Sequence, residues 1–171
     1  MAWQGSSSSS SFSYKWTYDV FLSFRGKDTR TGFTGNLYKA LCQRGIHTFI
    51  DDAQLRRGKE ITPSLAKAIE ESRIAIVVFS EYYASSRFCL EELIKIIDCI
   101  KTKGRLVLQV FYKVDPSQVG RQTRSYGEAF ARYESVHYHE PGKVLKWRSA
   151  LSMAANLTGY HYYGEQIISS S

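Results

Sequence analysis

Ile74-Ala75-Ile76-Val77-Val78-Phe79 is a run of six apolar residues, and it decides the fold class. A strand with no polar face has nothing to offer water, so it reads as the centre of a parallel sheet covered on both sides. The flanking stretches alternate accordingly. Tyr18–Phe24 is a first strand, and residues 33–43 place Phe33, Leu37, Ala40 and Leu41 at helical spacing before Gly45 ends the helix. Residues 46–50 form a second strand. Thr62 caps a helix with Pro63 at its first position and Leu65, Ala66 and Ile69 facing inward. Residues 88–101 form a helix whose inner stripe is Leu90, Leu93, Ile94, Ile97 and Ile100. Leu106–Tyr112 is a fourth strand, Asp115-Pro116 opens a loop and short-helix region, residues 144–157 form a helix, and residues 160–163 a short fifth strand. Alternation with short links predicts an α/β, flavodoxin-like fold: a five-stranded parallel sheet of order 2-1-3-4-5 with helices on both faces. In such a sheet ligands bind beyond the carboxyl ends of strands 1 and 3, which points to residues 23–26 and to the stretch from Ser80 into the next helix.

With 171 residues, 43% apolar and 23% charged, the chain has the composition of one soluble domain with a real core. Its three cysteines, Cys42, Cys89 and Cys99, cannot all pair and form no CxxC, which excludes a disulfide framework and a structural zinc site and fits a reducing compartment. Residues 74–79, the longest apolar run, fall far short of a membrane span, and residues 1–13 have neither the charge nor the apolar core of a signal peptide. The serine run at residues 6–11 marks residues 1–15 as a disordered tail and leaves residues 16–168 as the domain. The net charge of +7 suits an anionic partner, whether nucleotide, nucleic acid or an acidic protein face, although no basic run exceeds Arg56-Arg57.

At the predicted ligand edge the helix after Phe88 carries a carboxylate, Glu92, on the flank shared by Cys89, Ile96 and Cys99. The helix dipole favours its charge and an apolar flank opposes it, a balance that fits a catalytic carboxylate and equally an ordinary glutamate in a first turn. The wheel sets Glu92 off the main stripe, so its removal is expected to leave stability almost unchanged. Glu91, about 100° away, is expected to pair with Lys95. Arg25 and Gly26 directly follow strand 1, where a glycine admits close backbone approach and an arginine holds phosphate bidentately; a solvated turn is the other reading. Ser80, Tyr82, Tyr83 and Ser86 offer hydroxyls and rings nearby, and residues 51–60 form a polar loop over the same edge. Neither GxGxxG, GxxxxGK[ST] nor GxSxG is present where its chemistry needs it.

The blocks Tyr18-Asp-Val-Phe-Leu-Ser-Phe-Arg-Gly-Lys-Asp-Thr-Arg30, Gly45-Ile-His-Thr-Phe-Ile-Asp-Asp52, Leu55-Arg-Arg-Gly58, Ala68-Ile-Glu-Glu-Ser-Arg73, Ser85-Ser-Arg-Phe-Cys-Leu-Glu-Glu-Leu93, Val110-Phe-Tyr112, Val114-Asp-Pro116 and Trp147-Arg-Ser-Ala-Leu151 together resemble plant Toll/interleukin-1 receptor (TIR) domains. The resemblance spans residues 18–163. It implies an innate-immunity signalling domain of disease resistance proteins, cytoplasmic and also nuclear. Such domains associate with other TIR domains and, as NAD+ nucleosidases, cleave NAD+ or NADP+ at the nicotinamide–ribose bond to give linear or cyclic ADP-ribose products. It implies no cofactor, metal or membrane. By the same resemblance Glu92 is catalytic, Arg25, Gly26, Ser86 and Phe88 contact substrate, and residues 51–61 are the BB loop, with Asp51, Asp52, Arg56, Arg57 and Gly58, which rearranges on assembly. Cys89 matches the cysteine implicated in a second activity of some relatives on nucleic acid.

One carboxylate suits this chemistry, because nicotinamide leaves as a neutral ring from a cationic substrate and the ribose becomes oxocarbenium-like. The chain departs from the family pattern at Phe88, usually Trp; at Gly35-Asn36, where a Ser-His pair is common; and at Gln109, often Pro. A non-catalytic homotypic interaction module is therefore the competing expectation. Residues 164–171 resemble the start of the family's last helix, too short to be stable alone, and a monomer or weak dimer is expected from that.

Overall fold

The computed structural model describes residues 16–51 and 60–157 and the backbone of residues 159–162 and 167–169. The expected tail at residues 1–15 lies outside the described residues, as do Asp52, Arg56, Arg57 and Gly58 of the expected BB loop. In chain order the elements are β1 (Tyr18–Phe24), α1 (Gly26–Thr29), α2 (Phe33–Gln43), β2 (Thr48–Ile50), α3 (Pro63–Glu70), β3 (Ser72–Phe79), a single 3-10 turn (Tyr83–Ser85), α4 (Arg87–Lys103), β4 (Leu106–Tyr112), α5 (Pro116–Arg121), α6 (Ser125–Val136), α7 (Pro141–Ala155), β5 (Gly159–Tyr162) and β6 (Ile167–Ser169).

The sheet runs β2-β1-β3-β4-β5-β6. Its first five strands are parallel in the expected order, with Val20 opposite both Thr48 and Ile74 and Ile74 opposite Leu106. The sixth is a correction: Ile167–Ser169, expected to begin a helix, pairs antiparallel with β5 and closes that edge. Strand alternation splits the core in two. Phe21, Val77, Phe79 and Phe111 face α3, α4, α6 and α7, whereas Val20, Leu22, Phe24, Ile76 and Val78 pack with Phe33, Leu37 and Leu41 of α2. Helices do cover both faces, unequally, and α2 carries one face nearly alone.

Local chemistry explains the ends. Thr62 accepts from the Leu65 N–H at 3.2 Å, with Pro63 at the first helical position, as expected. Gly104, at φ +62°, ends α4 with its N–H on the Ile100 carbonyl at 3.0 Å. Asp115 and Gln118 form a reciprocal capping box at α5. Four inward positions differ from expectation. Ala40 is exposed, and Thr34, bonded to Thr29 at 2.7 Å, is the buried residue of α2. Ala68 rather than Ala66 is buried in α3. The region read as loop and short helix contains the twelve-residue α6, which buries Tyr126, Ala129 and Phe130. On α4 the buried face includes Cys89, Glu92, Ile96 and Cys99, while Ile94 and Ile100 are only partly covered. This helix packs against the sheet and also between α3 and α7, so its covered arc is wider than one apolar stripe.

Candidate active site

Ser23 points to the α4 side of the sheet because it is two residues from Phe21, and it is the buried polar position of β1. It is fully buried. Across from it, Ser86 caps α4 by accepting from the Cys89 N–H at 3.2 Å, which fixes the helix so that its second turn brings Glu92 beneath the carboxyl ends of β1 and β2. Glu92 is only 3% exposed. The expectation that it rides a flank off the core is therefore wrong, and so is its expected irrelevance to folding. Burial lifts its carboxyl from 4.5 to about 8; the Ser23 hydroxyl, within hydrogen-bonding reach, works against that rise, and the Asp51 carboxylate just past β2 adds to it.

The mouth of the site is held by Asp28. Its carboxylate pairs with the Arg25 guanidinium and accepts from the Ser80 hydroxyl at 2.6 Å and the Tyr82 N–H at 3.2 Å. Arg25 lies 6.0 Å from the centre of the Tyr82 ring. Two further tyrosines pin the loop after β3, Tyr126 through the Ser80 carbonyl at 2.7 Å and Tyr133 through the Ala84 carbonyl at 2.8 Å. Arg30 donates to the Asp51 carbonyl at 2.7 Å and so fixes where the residue 51–60 segment begins.

Of the expected site residues, Arg25, buried Gly26, Asp51, Ser86 and Glu92 lie at this edge. Ser86 spends its hydroxyl as a helix cap. Phe88 is half-buried against the main core at the start of α4. The Cys89 thiol is buried, reaches the Phe24 carbonyl at 3.6 Å and is pushed up to about 12 by burial and by the neighbouring Glu92 charge, which leaves it a protonated, poor nucleophile. Glu91 does not pair with Lys95. It accepts from the indole N–H of buried Trp147 at 3.0 Å and forms an ion pair with Lys143 at 3.6 Å, and Lys95 pairs with Glu70. Sequence reasoning missed Asp28 and the role of Ser23. The alternation that makes Phe21 inward also makes Ser23 an inward hydroxyl, and that signal was available. Two surface cavities of about 310 and 280 Å³ lie against α7, and neither is lined by Glu92.

The five parallel strands of this flavodoxin-like sheet define the class of fold, and the TIR domain family matches residues 17–166; the chain belongs to that family. It is similar to the disease resistance protein RPV1 of Vitis rotundifolia, 57% identical over 91% of this chain and 11% of that protein. It is also similar to the TMV resistance protein N of Nicotiana glutinosa, 52% identical over 88% of this chain and 13% of that protein. The chain thus spans about an eighth or less of the length of these relatives. Among solved structures it resembles the TIR domains of the activated Roq1 resistosome that directly recognizes the pathogen effector XopQ, with 52% identity, a TM-score of 0.79, and coverage of 85% of this chain and 87% of that one.

Proposed function

We propose that this chain is a plant immune-signalling TIR domain that self-associates and cleaves NAD+ or NADP+ at the nicotinamide–ribose bond. The observation that carries the reading is Glu92: one carboxylate, buried at the switch point and held mainly neutral at rest, with a hydroxyl donor beside it and a guanidinium at the mouth. In the proposed step the ribose C1′–nitrogen bond breaks and its electron pair returns to the nicotinamide ring, which leaves neutral. Positive charge develops on the ribose. Ionised Glu92 faces that charge in a water-poor setting, where attraction is stronger than in bulk solvent. Water then adds at C1′ and releases a proton. Arg25 binds the diphosphate, for which Asp28 releases one of its donors, and Phe88 flanks the base. The buried, protonated Cys89 thiol supports packing and no nucleophilic role.

Similarity to the TIR domains of the Roq1 resistosome supports self-association, and similarity to RPV1 and N supports a role in disease resistance. The competing reading, a non-catalytic homotypic module, is favoured by Phe88 in place of the usual Trp. Incubation of concentrated protein with NAD+, with nicotinamide measured against the Glu92→Gln protein, separates the two. Release by the parent and not by the variant supports the enzyme; no release by concentrated, self-associated parent supports the module.

A further inference from the structure

Ser23, Tyr83 and the Cys89 carbonyl line up behind Glu92. The Ser23 and Tyr83 oxygens are 2.9 Å apart and either can donate. The Tyr83 hydroxyl is 3.2 Å from the Cys89 carbonyl oxygen, and the Ser23 hydroxyl is within reach of the Glu92 carboxyl. Ser23 and Tyr83 are both 0% exposed, and Phe79 braces the Tyr83 ring edge-on with centroids 5.0 Å apart. Water cannot repair a mismatch here.

Each hydroxyl has one proton to give and lone pairs to accept another, so the chain of bonds can be written in two directions. Ionised Glu92 only accepts: Tyr83 then donates to Ser23, and Ser23 donates to Glu92. Protonated Glu92 donates to Ser23, Ser23 donates to Tyr83, and Tyr83 donates to the Cys89 carbonyl, whose second lone pair is spare beside its helical bond. The two hydroxyls only rotate; no proton travels along them. In both directions every buried donor has an acceptor, whereas an orphaned one would be costly.

We propose that Ser23 and Tyr83 are positioning residues whose hydroxyls form a reversible relay, keeping Glu92 hydrogen-bonded in both protonation states and setting the pH at which it ionises. The functional consequence rests on Glu92 being the working carboxylate. Among the described residues, Asp51 after β2 and the Cys89 thiol on α4 face Glu92, the Arg25–Asp28 pair after β1 faces Cys89, and Tyr126 on α6 faces Tyr83. Of the acidic and basic groups on α3 and its end, Glu70 pairs with Lys95 and Lys103, and Lys67 with Glu71. All of these remain in the variants below.

The test is a carbon-13 NMR titration of the Glu92 carboxyl in the parent, Ser23→Ala, Tyr83→Phe and Tyr133→Phe proteins. Losing the donor to the ionised form should move the Ser23→Ala midpoint up by about one pH unit. Tyr83→Phe, which leaves the buried Ser23 hydroxyl without an acceptor when Glu92 is protonated, should move it down instead. Tyr133→Phe, whose hydroxyl bonds the Ala84 carbonyl outside the relay, should leave it in place. An unmoved midpoint in Ser23→Ala or in Tyr83→Phe overturns the relay, and Tyr83→Phe alone decides it should Ser23→Ala fail to fold. Nicotinamide release measured across the same pH range should follow the shifted midpoints. A midpoint that moves without the release profile leaves the relay standing and removes Glu92 from the chemistry.

Discussion

The two ends of α4 treat their carboxylates in opposite ways. Near its start, Glu92 is buried among hydroxyls with a second carboxylate close by, and its proton is held up to about pH 8. Towards its end, Lys95 and Lys103 reach Glu70 of α3, which is 38% exposed, and these ammonium groups pull the Glu70 carboxyl below its ordinary range. Arg105, just beyond α4, donates to the Ser72 and Glu70 carbonyls at 2.9 and 2.6 Å and stacks 3.7 Å over Trp16. The far end spends charge on fastening the chain, in water, where each pair contributes little. The near end keeps a charge change in reserve at some cost in stability. A chain optimised for folding alone would not carry a carboxyl group at that depth beside another.

The sharpest way to break this contrast is Glu92→Gln. Nicotinamide release should fall about 10²- to 10³-fold, as when one transition-state electrostatic partner is lost. The same variant should melt higher than the parent at pH 8. Folded Glu92 titrates near 8 and the unfolded group near 4.5, so the folded state binds the extra proton between those values. Its contribution is therefore present in full below the unfolded value and is lost as pH rises through about 8, a difference on the order of a few kcal/mol. The melting-temperature gap between variant and parent should widen from pH 5 to pH 8. A gap that narrows would mean that Glu92 is not buried as a neutral acid. Parent activity should climb with pH towards about 8 and then level off.

Glu91→Ala sharpens the comparison within two neighbouring residues. It orphans the indole N–H of fully buried Trp147, so unfolding in urea should show a loss of about 1–3 kcal/mol with activity per folded molecule retained. Phe88→Trp, at the near end, should raise NAD+ cleavage by roughly two- to tenfold, the worth of about 0.5–1.5 kcal/mol of added aromatic contact; a folded variant with lower activity counts against Phe88 as a substrate contact. The smallest effect belongs to the far end. Lys95→Ala should cost about 0.2–1 kcal/mol, and less in high salt.

Much of the fold was legible because strand and helix periods differ: the all-apolar run at residues 74–79 could only be central, and the Thr62-Pro63 start of α3 carried its own punctuation. What was not legible came from packing. A wheel assumes one covering surface, and α4 has three, so Glu92 read as a flank residue when it is interior. Helix α6 was hidden because Gln122 and Arg124 before it adopt positive φ (49° and 52°), a path that no local propensity signals. Asp28 was passed over because its partners, Ser80 and Tyr82, come from a loop more than fifty residues away.

Neither α2 nor α6 has a side-chain cap, and each has glycine as its third residue. A Cβ at Gly35 would stand 2.2 Å from the Arg30 carbonyl oxygen, and one at Gly127 would stand 2.8 Å from that of Gln122, both five residues earlier. The incoming chain is folded flat onto the helix, and hydrogen is the only side chain that leaves room for it. On this backbone neither position admits a side chain unless the segment before the helix shifts. A chain with a serine at position 35, as the family pattern often has, must route residues 30–32 differently, so Gly35→Ser here calls for a second change in that segment.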